Sequence, residues 1–574
     1  VNMKQINRLE FLGAVYGKSL DGEAPVKKAL PENEFANKVV PQFESRATTG
    51  LNEYTGTFGD VQLAHLLRRT LFGVTKADMT AFAGMSLAQV MAALTTASAT
   101  PAPPINAYNN ANFTDADIPL GQTWVNASGN TNSVNANGRR KLSFKQWWVG
   151  LMVNQERNLT EKMTLFWHNH YATQLNIYND ARGGYKHNAL LRANAFGNFK
   201  TLTRLVTTDP AMLDYLNGRT NTKNAPNENY ARELQELFTV GKGPGSQYTE
   251  DDVKAAARVL TGWRVDFNTL TSYFDSTKHD TTDKQFSAWY NNVVITGQSG
   301  ANGANETDQL IDMIFLQTEA AKHLCRKLYR WFVYYVIDTQ VETDIITPMA
   351  DMLVQGNWEV RPVIEALLKS EHFFDPLNVG CHIKNPIDHL VGVARQFAIT
   401  FPDAANFVDQ YKGWGIVADA LLTLGMDPGD PPNVAGWPAY YQEPQFHEQW
   451  INSDTLPTRN EYTDALCSLS GATRNGVTLK IDCIAFAQQV SLPSDPNVLV
   501  AESAALLSPN DIGATQTAFL KSILLSGQSA DYYWSNAWLQ YMGDPNNASY
   551  KTIVESRLRS MYTYMMQLAE YQLI

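Results

Sequence analysis

The chain has 574 residues, 44% hydrophobic and 18% charged, with 46 basic against 57 acidic residues and a formal charge of −11. That balance excludes a non-specific nucleic-acid binder, which needs a basic surface to displace counterions from phosphates. No apolar run approaches the roughly eighteen residues of a membrane-spanning helix, so no membrane span is expected.

Residues 1–58 are mixed and weakly periodic and read as an N-terminal arm; the start at Val1 rather than Met fits a processed N-terminus. From Val61 to Phe72, apolar residues at 63, 66, 67 and 71 make a helical stripe that Gly73 ends. Thr75 and Asp78 form a capping pair for the next helix. Residues 100–137, rich in Pro, Asn, Thr and Gly, read as a long surface loop. Helical signals then run from 139 to 262, with a second capping pair at Thr249 and Asp252.

Residues 265–304 break the pattern. The alternation Trp289-Tyr-Asn-Asn-Val-Val-Ile295 predicts a short hairpin or an irregular excursion. Helices resume over 306–370 and 386–424, and Leu328–Ile337 reads as a buried helix. Asp427-Pro-Gly-Asp-Pro-Pro-Asn-Val-Ala-Gly-Trp-Pro438 is too rich in Pro and Gly for regular structure. Residues 455–574 are again helical, with a loop-rich insertion around 470–515. No fixed-period repeat points to a solenoid. The fold predicted is mainly α: a large multi-helix body with long irregular loops and at most a small β-hairpin. Its regions are a helical core over 59–460 and a C-terminal helical region over 461–574 packed on the same body.

Of the four cysteines, Cys467 and Cys483 are separated by 15 intervening residues in a turn-rich segment and are placed to form a disulfide. Cys325 falls in an apolar helical stretch and Cys381 just before a helix. No CxxC or Cys/His spacing calls for structural zinc.

Several residues could carry chemistry. In Trp167-His-Asn-His170, a regular helix turns His168 and His170 about 200° apart, so they cannot share one metal. His168 shares a face with Glu161, while His170 lies over Phe166 and Trp167. In Asn227-Glu-Asn-Tyr-Ala-Arg-Glu-Leu-Gln-Glu236, Tyr230, Leu234, Leu237 and Phe238 form the buried stripe. Glu228–Arg232 and Arg232–Glu236 are i,i+4 pairs, and Asn229 with Glu233 makes a second polar row. Two carboxylates held by one Arg are expected to have depressed pKa values. His279, Asp280 and Lys284 sit in the non-helical excursion, where either loop anchoring or a site is expected. Asn433, Trp437, Trp450 and Asn452 offer either a rigid aromatic platform or plugs for the core. There is no GxGxxG, P-loop, GxSxG or HExxH, which removes the common nucleotide and serine-hydrolase answers and the zinc-protease motif.

Nine stretches in order resemble one bacterial family, domain of unknown function 1800. They are His65–Gly73, Glu161–His170, Asn227–Phe238, Tyr248–Asp252 leading to Leu260–Trp263, and His279-Asp280 with Lys284. Ile383–Pro386, Pro431–Pro438, Trp450–Ser453 and Glu570–Leu573 complete the set. The resemblance runs from about residue 60 to the C-terminus. It implies an exported protein of the periplasm, cell surface or exterior, often encoded beside a sulfatase-like family. It supplies no reaction that can be carried over residue by residue.

Two functions fit this reading. The first is an envelope or extracellular binding and assembly protein acting with a sulfatase-like partner on polysaccharide. The alternative is a hydrolase or lyase of an extracellular polymer. Its catalytic residues would be His168, His170, Glu228, Glu233 and His279, with Asn229, Arg232, Asp280, Lys284, Asn433, Trp437, Trp450 and Asn452 contacting substrate. No cofactor is expected; a metal ion is one the histidines could take, though no motif calls for it.

Overall fold

The computed structural model describes residues 46, 50–129, 135–443 and 446–574, all within the unit Arg46–Ile574. The expected arm over 1–58, and Val1 itself, lie mostly outside these residues.

The first apolar stripe forms α1 (Asp60–Thr70), which buries Leu63, Leu66 and Leu67 and also Arg68 and Arg69. The helix ends before Gly73, whose φ of +74° suits glycine. A Cβ at Gly73 would stand 2.8 Å from the Gly392 Cα, so the turn is also closed by size. Both predicted capping pairs form: Thr75 with Asp78 and Thr249 with Asp252.

The helices that position the site follow in chain order. They are α2 (Ala136–Val153), α3 (Thr160–His170), α4 (Ala181–Ala193), α5 (Asn229–Glu233), α6 (Glu250–Val259), α7 (Asn305–Ile314) and α8 (Thr318–Phe332). Beyond them come α9 (Pro386–Gln396), α10 (Phe407–Thr423), α11 (Thr455–Cys467), α12 (Cys483–Ala487) and α13 (Ala548–Gln567). Every residue of α3 and of α9 is buried. A helix buried all round is ordinarily apolar, yet these two carry Glu161, Lys162, His168, His170, Asp388, His389 and Arg395. Charge that is buried must be paired, and much of it is. Glu161 meets Arg192 of α4 at 2.6 and 2.9 Å; Arg395 meets Asp78 at 3.2 Å; Lys162 bonds Asp388 across the two helices.

Among the described residues, strands occur as three antiparallel pairs rather than one hairpin. They are β1 (Trp263–Asp266) with β2 (Thr271–Phe274), β3 (Lys284–Gln285) with β4 (Val294–Ile295), and β5 (Ala472–Arg474) with β6 (Val477–Leu479). The third pair turns on Asn475-Gly476, both at positive φ, the residues a two-residue hairpin demands. The expected loop-rich insertion also gives way to a helix over Pro496–Leu507, opened by the Asp495 cap and a proline at its first turn.

The segment around 100–129 is irregular, as expected, but it is not a free surface loop. Trp124 is fully buried and donates to Ser143 at 3.1 Å, and Asp115 holds Arg140 of α2 at 2.9 and 3.0 Å. Helix α8 stops at Phe332, inside the apolar run Leu328–Ile337. No helix among the described residues is long and apolar enough to cross a membrane.

Candidate functional site

Lys162 on α3 and Asp388 on α9 face a cavity of about 30 Å³ whose walls mix charged and aromatic side chains. Its walls also include Arg69, Trp331, His382, Tyr440, His447 and Trp450. One water needs roughly 10–15 Å³ by this measure, so the space suits about two waters or one small oxyanion.

Each wall residue is held by its own local structure. Asn385 caps α9 by accepting from Asp388 N at 2.8 Å, and its amide donates to Asp388 Oδ2 at 2.7 Å and to the Tyr440 hydroxyl at 2.8 Å. The stretch carrying His382 is fixed by backbone pairing with residues 572–574: Lys384 N donates to Gln572 O at 2.8 Å and Ile574 N to His382 O at 2.8 Å. The His382 and His447 rings stack at 4.9 Å and 21°. Trp331, Tyr440 and Trp450 follow one another at 4.7 and 5.8 Å between centroids.

The electrostatics of this cavity are lopsided. Arg69 is 2% exposed, and its Nη2 donates to Asn378 O at 2.9 Å, to Cys381 Sγ at 3.1 Å and to Val333 O at 3.3 Å. Among the described residues no carboxylate pairs with it, and its Nε has no partner. Trp331 Nε1, His382 Nε2 and His447 Nδ1 are likewise buried without partners. Burial, then the Arg69 charge, drives His382 well below the usual imidazole range and His447 down to about 4. Burial also lowers the Lys162 ammonium against the opposing pull of Asp388. Arg330 stands on the rim over the Phe446 ring, 3.5 Å from the mostly exposed Glu443. Among the described lining side chains the cavity therefore gathers cations and N–H donors with a single carboxylate, Asp388, already engaged by Lys162.

The family described as "Protein of unknown function (DUF1800)" matches residues 65–573 of the chain. The chain belongs to this family. No curated protein and no solved structure matches it. Within the DUF1800 region, five of the nine recognised stretches meet at or beside the cavity: Arg69 comes from His65–Gly73, Lys162 from Glu161–His170, and Asn385 from Ile383–Pro386. Trp450 opens Trp450–Ser453, and Glu570–Leu573 supplies Gln572, whose carbonyl accepts from Lys384 N in the stretch that carries His382.

The residues singled out from sequence are distributed over separate networks. His168 shares the indole of Trp148 with Glu161: its ring lies 5.1 Å from Trp148 edge-on, and Glu161 accepts from Trp148 Nε1 at 3.2 Å. Among the described residues neither ring nitrogen of His168 has a partner, and burial, with a smaller push from His187, takes it down to about 3. His170 does lie over Phe166 and beside Trp167. Its Nε2 donates to Phe238 O at 3.1 Å, and Lys327 Nζ stands 3.2 Å from its Nδ1. Phe238 and Leu237 belong to a π-helical turn, Leu234–Phe238, that continues α5. Such turns misalign the usual bonding, and here Lys327 and His323 both take the Leu237 carbonyl, at 3.0 and 3.1 Å.

The same turn overturns one expected pair. Arg232 holds Glu228 at 3.2 Å but not Glu236, because the extra residue per turn rotates Glu236 away to Lys242. Arg232 instead grips Glu250 of α6 at 2.6 Å and holds that carboxyl below its ordinary range. Glu233 moves the opposite way, raised by burial and then by Glu236. Asn229 N donates to Asn227 Oδ1 at 3.0 Å, in the turn that starts α5.

His279 and Lys284 clasp Glu306 of α7, at 2.9 and 2.5 Å, all three at most 1% exposed. Burial would raise the Glu306 carboxyl, but the His279 and Lys284 hydrogen bonds hold it low. Asp280 takes Arg258 at 2.7 Å; burial opposes its charge, yet Arg258 and Thr282 hold it at about 2. These residues anchor the β1–β4 excursion to α6 and α7. Trp437 is fully buried in the core beside His168, with its backbone N–H on Asn169 Oδ1 at 2.9 Å. Gly436 before it, at φ +93°, leaves no room for a Cβ, which would fall 2.3 Å from Asn169 Oδ1. Asn433 bonds Tyr441 at 2.7 Å, and Asn452 caps the turn into α11. Of all these, only Trp450 lines the cavity.

Sequence reasoning passed over Arg69, Lys162, His382, Asp388, Tyr440 and His447. A signal existed for two of them. Arg69 falls three and four residues after Leu66 and His65, on the buried stripe, and Lys162 stands in a helix otherwise reading as core. Among the described residues no group of three or more His, Cys, Asp or Glu is placed to hold a metal.

Proposed function

We propose that the protein is an exported binding and assembly protein whose cavity takes the acidic group, a sulfate ester or a carboxylate, of an extracellular polysaccharide. The observation that carries this is the Arg69 guanidinium, buried and, among the described residues, without a carboxylate, beside three further nitrogen groups that find no partner there. A buried, unpaired cation is costly, and an oxyanion would supply the missing acceptors. The aromatic wall of Tyr335, Tyr440, Phe446 and Trp450 offers ring faces and edges to the sugar carrying that group. The sulfatase-like partner of the family fits a sulfated polymer, as an enzyme that removes the group this protein holds. The hydrolase reading loses its support in the dispersal of His168, His170, Glu228, Glu233 and His279.

Titration calorimetry with sulfated, uronate-containing and neutral polysaccharides tests this. Binding to an acidic polymer is expected, weakened roughly 10–100-fold by Arg69→Gln, the value of one charge-assisted bond. Absence of binding to every acidic polymer, or undiminished binding by the Arg69→Gln protein, would overturn it. Fractionation of the native host checks export: recovery in the cytoplasm alone would sink that part.

A further inference from the structure

Away from the cavity, the two chain segments that flank β5 and β6 are brought together at their ends. Cys467 is the last residue of α11 and Cys483 the first of α12. Their positions are 16 apart, and their sulfurs stand 3.6 Å from one another. Both residues are 1% exposed. The backbone around them is fixed independently of the thiols. Ile481 N donates to Leu466 O at 2.8 Å, closing the segment one residue inside Cys467. Asp482 caps α12 through the amides of Ile484 and Ala485. Arg559 of α13 donates to the Cys467 carbonyl at 2.8 Å. The juxtaposition of the sulfurs is therefore imposed by helix ends, a hairpin and a guanidinium.

We propose that Cys467 and Cys483 form a disulfide that staples α11 to α12 across the β5–β6 hairpin. The sulfurs need to close by about one and a half ångströms, which side-chain rotation about Cα–Cβ can provide while the backbone stays braced. The oxidant is a disulfide of the dithiol–disulfide oxidoreductase class, or a small-molecule disulfide. One cysteine thiolate attacks a sulfur of that disulfide and expels a thiolate, leaving a mixed disulfide. The second cysteine thiolate then attacks the protein-side sulfur. The Cys467–Cys483 bond forms, the oxidant leaves as its dithiol (or, for a small-molecule disulfide, as two thiols), and the two cysteine protons end on the departing sulfurs. Both sites are too buried for a partner to reach, so exchange takes place before α13 packs down. Once made, the bond is shielded by the same burial from thiols in solution.

Cys325 and Cys381 are not part of this pair. Cys325 is buried within α8 with its thiol pushed up by burial, and the Cys381 sulfur accepts from Arg69. The staple closes a short loop. It removes conformations from the unfolded chain, and its effect is on the stability of the C-terminal helices.

The test uses the full chain refolded in a glutathione redox buffer, so that the result does not depend on the cellular compartment. Denaturation and alkylation without reductant is expected to label Cys325 and Cys381 only, with intact protein lighter by two hydrogens than the all-thiol form. A digest should contain one peptide pair linked through Cys467 and Cys483. Reductant added to the native protein should leave the bond intact, and reductant after denaturation should expose all four thiols. The Cys467→Ser, Cys483→Ser protein is expected to melt at least about 2–4 °C below the oxidised parent and together with the reduced parent. Four alkylated cysteines in the unreduced, oxidatively refolded protein would overturn the proposal, as would a linkage through any other pair. Should the double variant fail to fold, the alkylation pattern of the parent decides.

Discussion

The Glu306 cluster and the Arg69 cavity are both buried assemblies of charge, and they differ in how their hydrogen-bonding capacity is used. Around Glu306 the groups satisfy one another. The carboxylate accepts from His279 Nε2, Lys284 Nζ and Gln298 N, and His279 Nδ1 reaches Thr261 O at 2.9 Å. Around Arg69 the guanidinium leans on carbonyls and a sulfur, and four nitrogens of the wall lack partners among the described residues. A closed network holds a fold together, whereas an open one has capacity left for a ligand.

The strongest way to break the contrast is Glu306→Leu. It strands a buried ammonium and an imidazole, and about 3–5 kcal/mol of unfolding free energy should be lost in urea titration. A loss under 1 kcal/mol would mean the cluster is not the anchor described.

Next in size is a pH effect beside the cavity. Lys384 donates to Tyr571 O at 2.6 Å, and burial, then Arg68, pushes its ammonium down to about 7; Lys327 is lowered to about 7 by burial and then Arg330. Unfolded lysines titrate near 10.4, so between about pH 7 and pH 10 the unfolded chain binds more protons and stability rises with pH. Each lysine contributes a slope of at most about 1.4 kcal/mol per pH unit. Lys384→Met should remove one such share of the slope in urea midpoints measured at pH 7, 8 and 9. An unchanged slope would refute the assignment.

Arg69→Met should cost less than Glu306→Leu, about 1–3 kcal/mol, because it removes donors from carbonyls but strands no charge. A cost equal to that of Glu306→Leu would erase the distinction between the two regions. The smallest effect is expected for Glu228→Gln, at most about 0.5 kcal/mol, since its pair with Arg232 is half-exposed and Arg232 keeps Glu250.

What the sequence made legible follows range of interaction. Helices, both capping pairs, the His168–Glu161 face and the stacking of His170 on Phe166 depend on neighbours within two turns, and all appear. The Arg232–Glu236 pair failed because a π turn is set by packing around Leu234 and Phe238, not by residue spacing. The Asn475-Gly476 hairpin was readable from its turn residues, yet lay within a stretch dismissed as loop. The cavity was invisible for a different reason. Arg69, Lys162, His382 and His447 come from distant segments, and each taken singly reads as an ordinary core or surface residue.

That dispersal has a kinetic consequence. The cavity walls come from positions 69, 162, 331, 382, 388, 440 and 447 and are braced by residue 574, so the contacts that build it span most of the chain. Loop-closure entropy for such contacts is recovered only when the whole body has condensed. Collapsed or half-folded chains should therefore have no cavity to offer. Ligand affinity then becomes a reporter of complete folding, and ligand at a hundred times its dissociation constant would add about 2.7 kcal/mol to the native state alone.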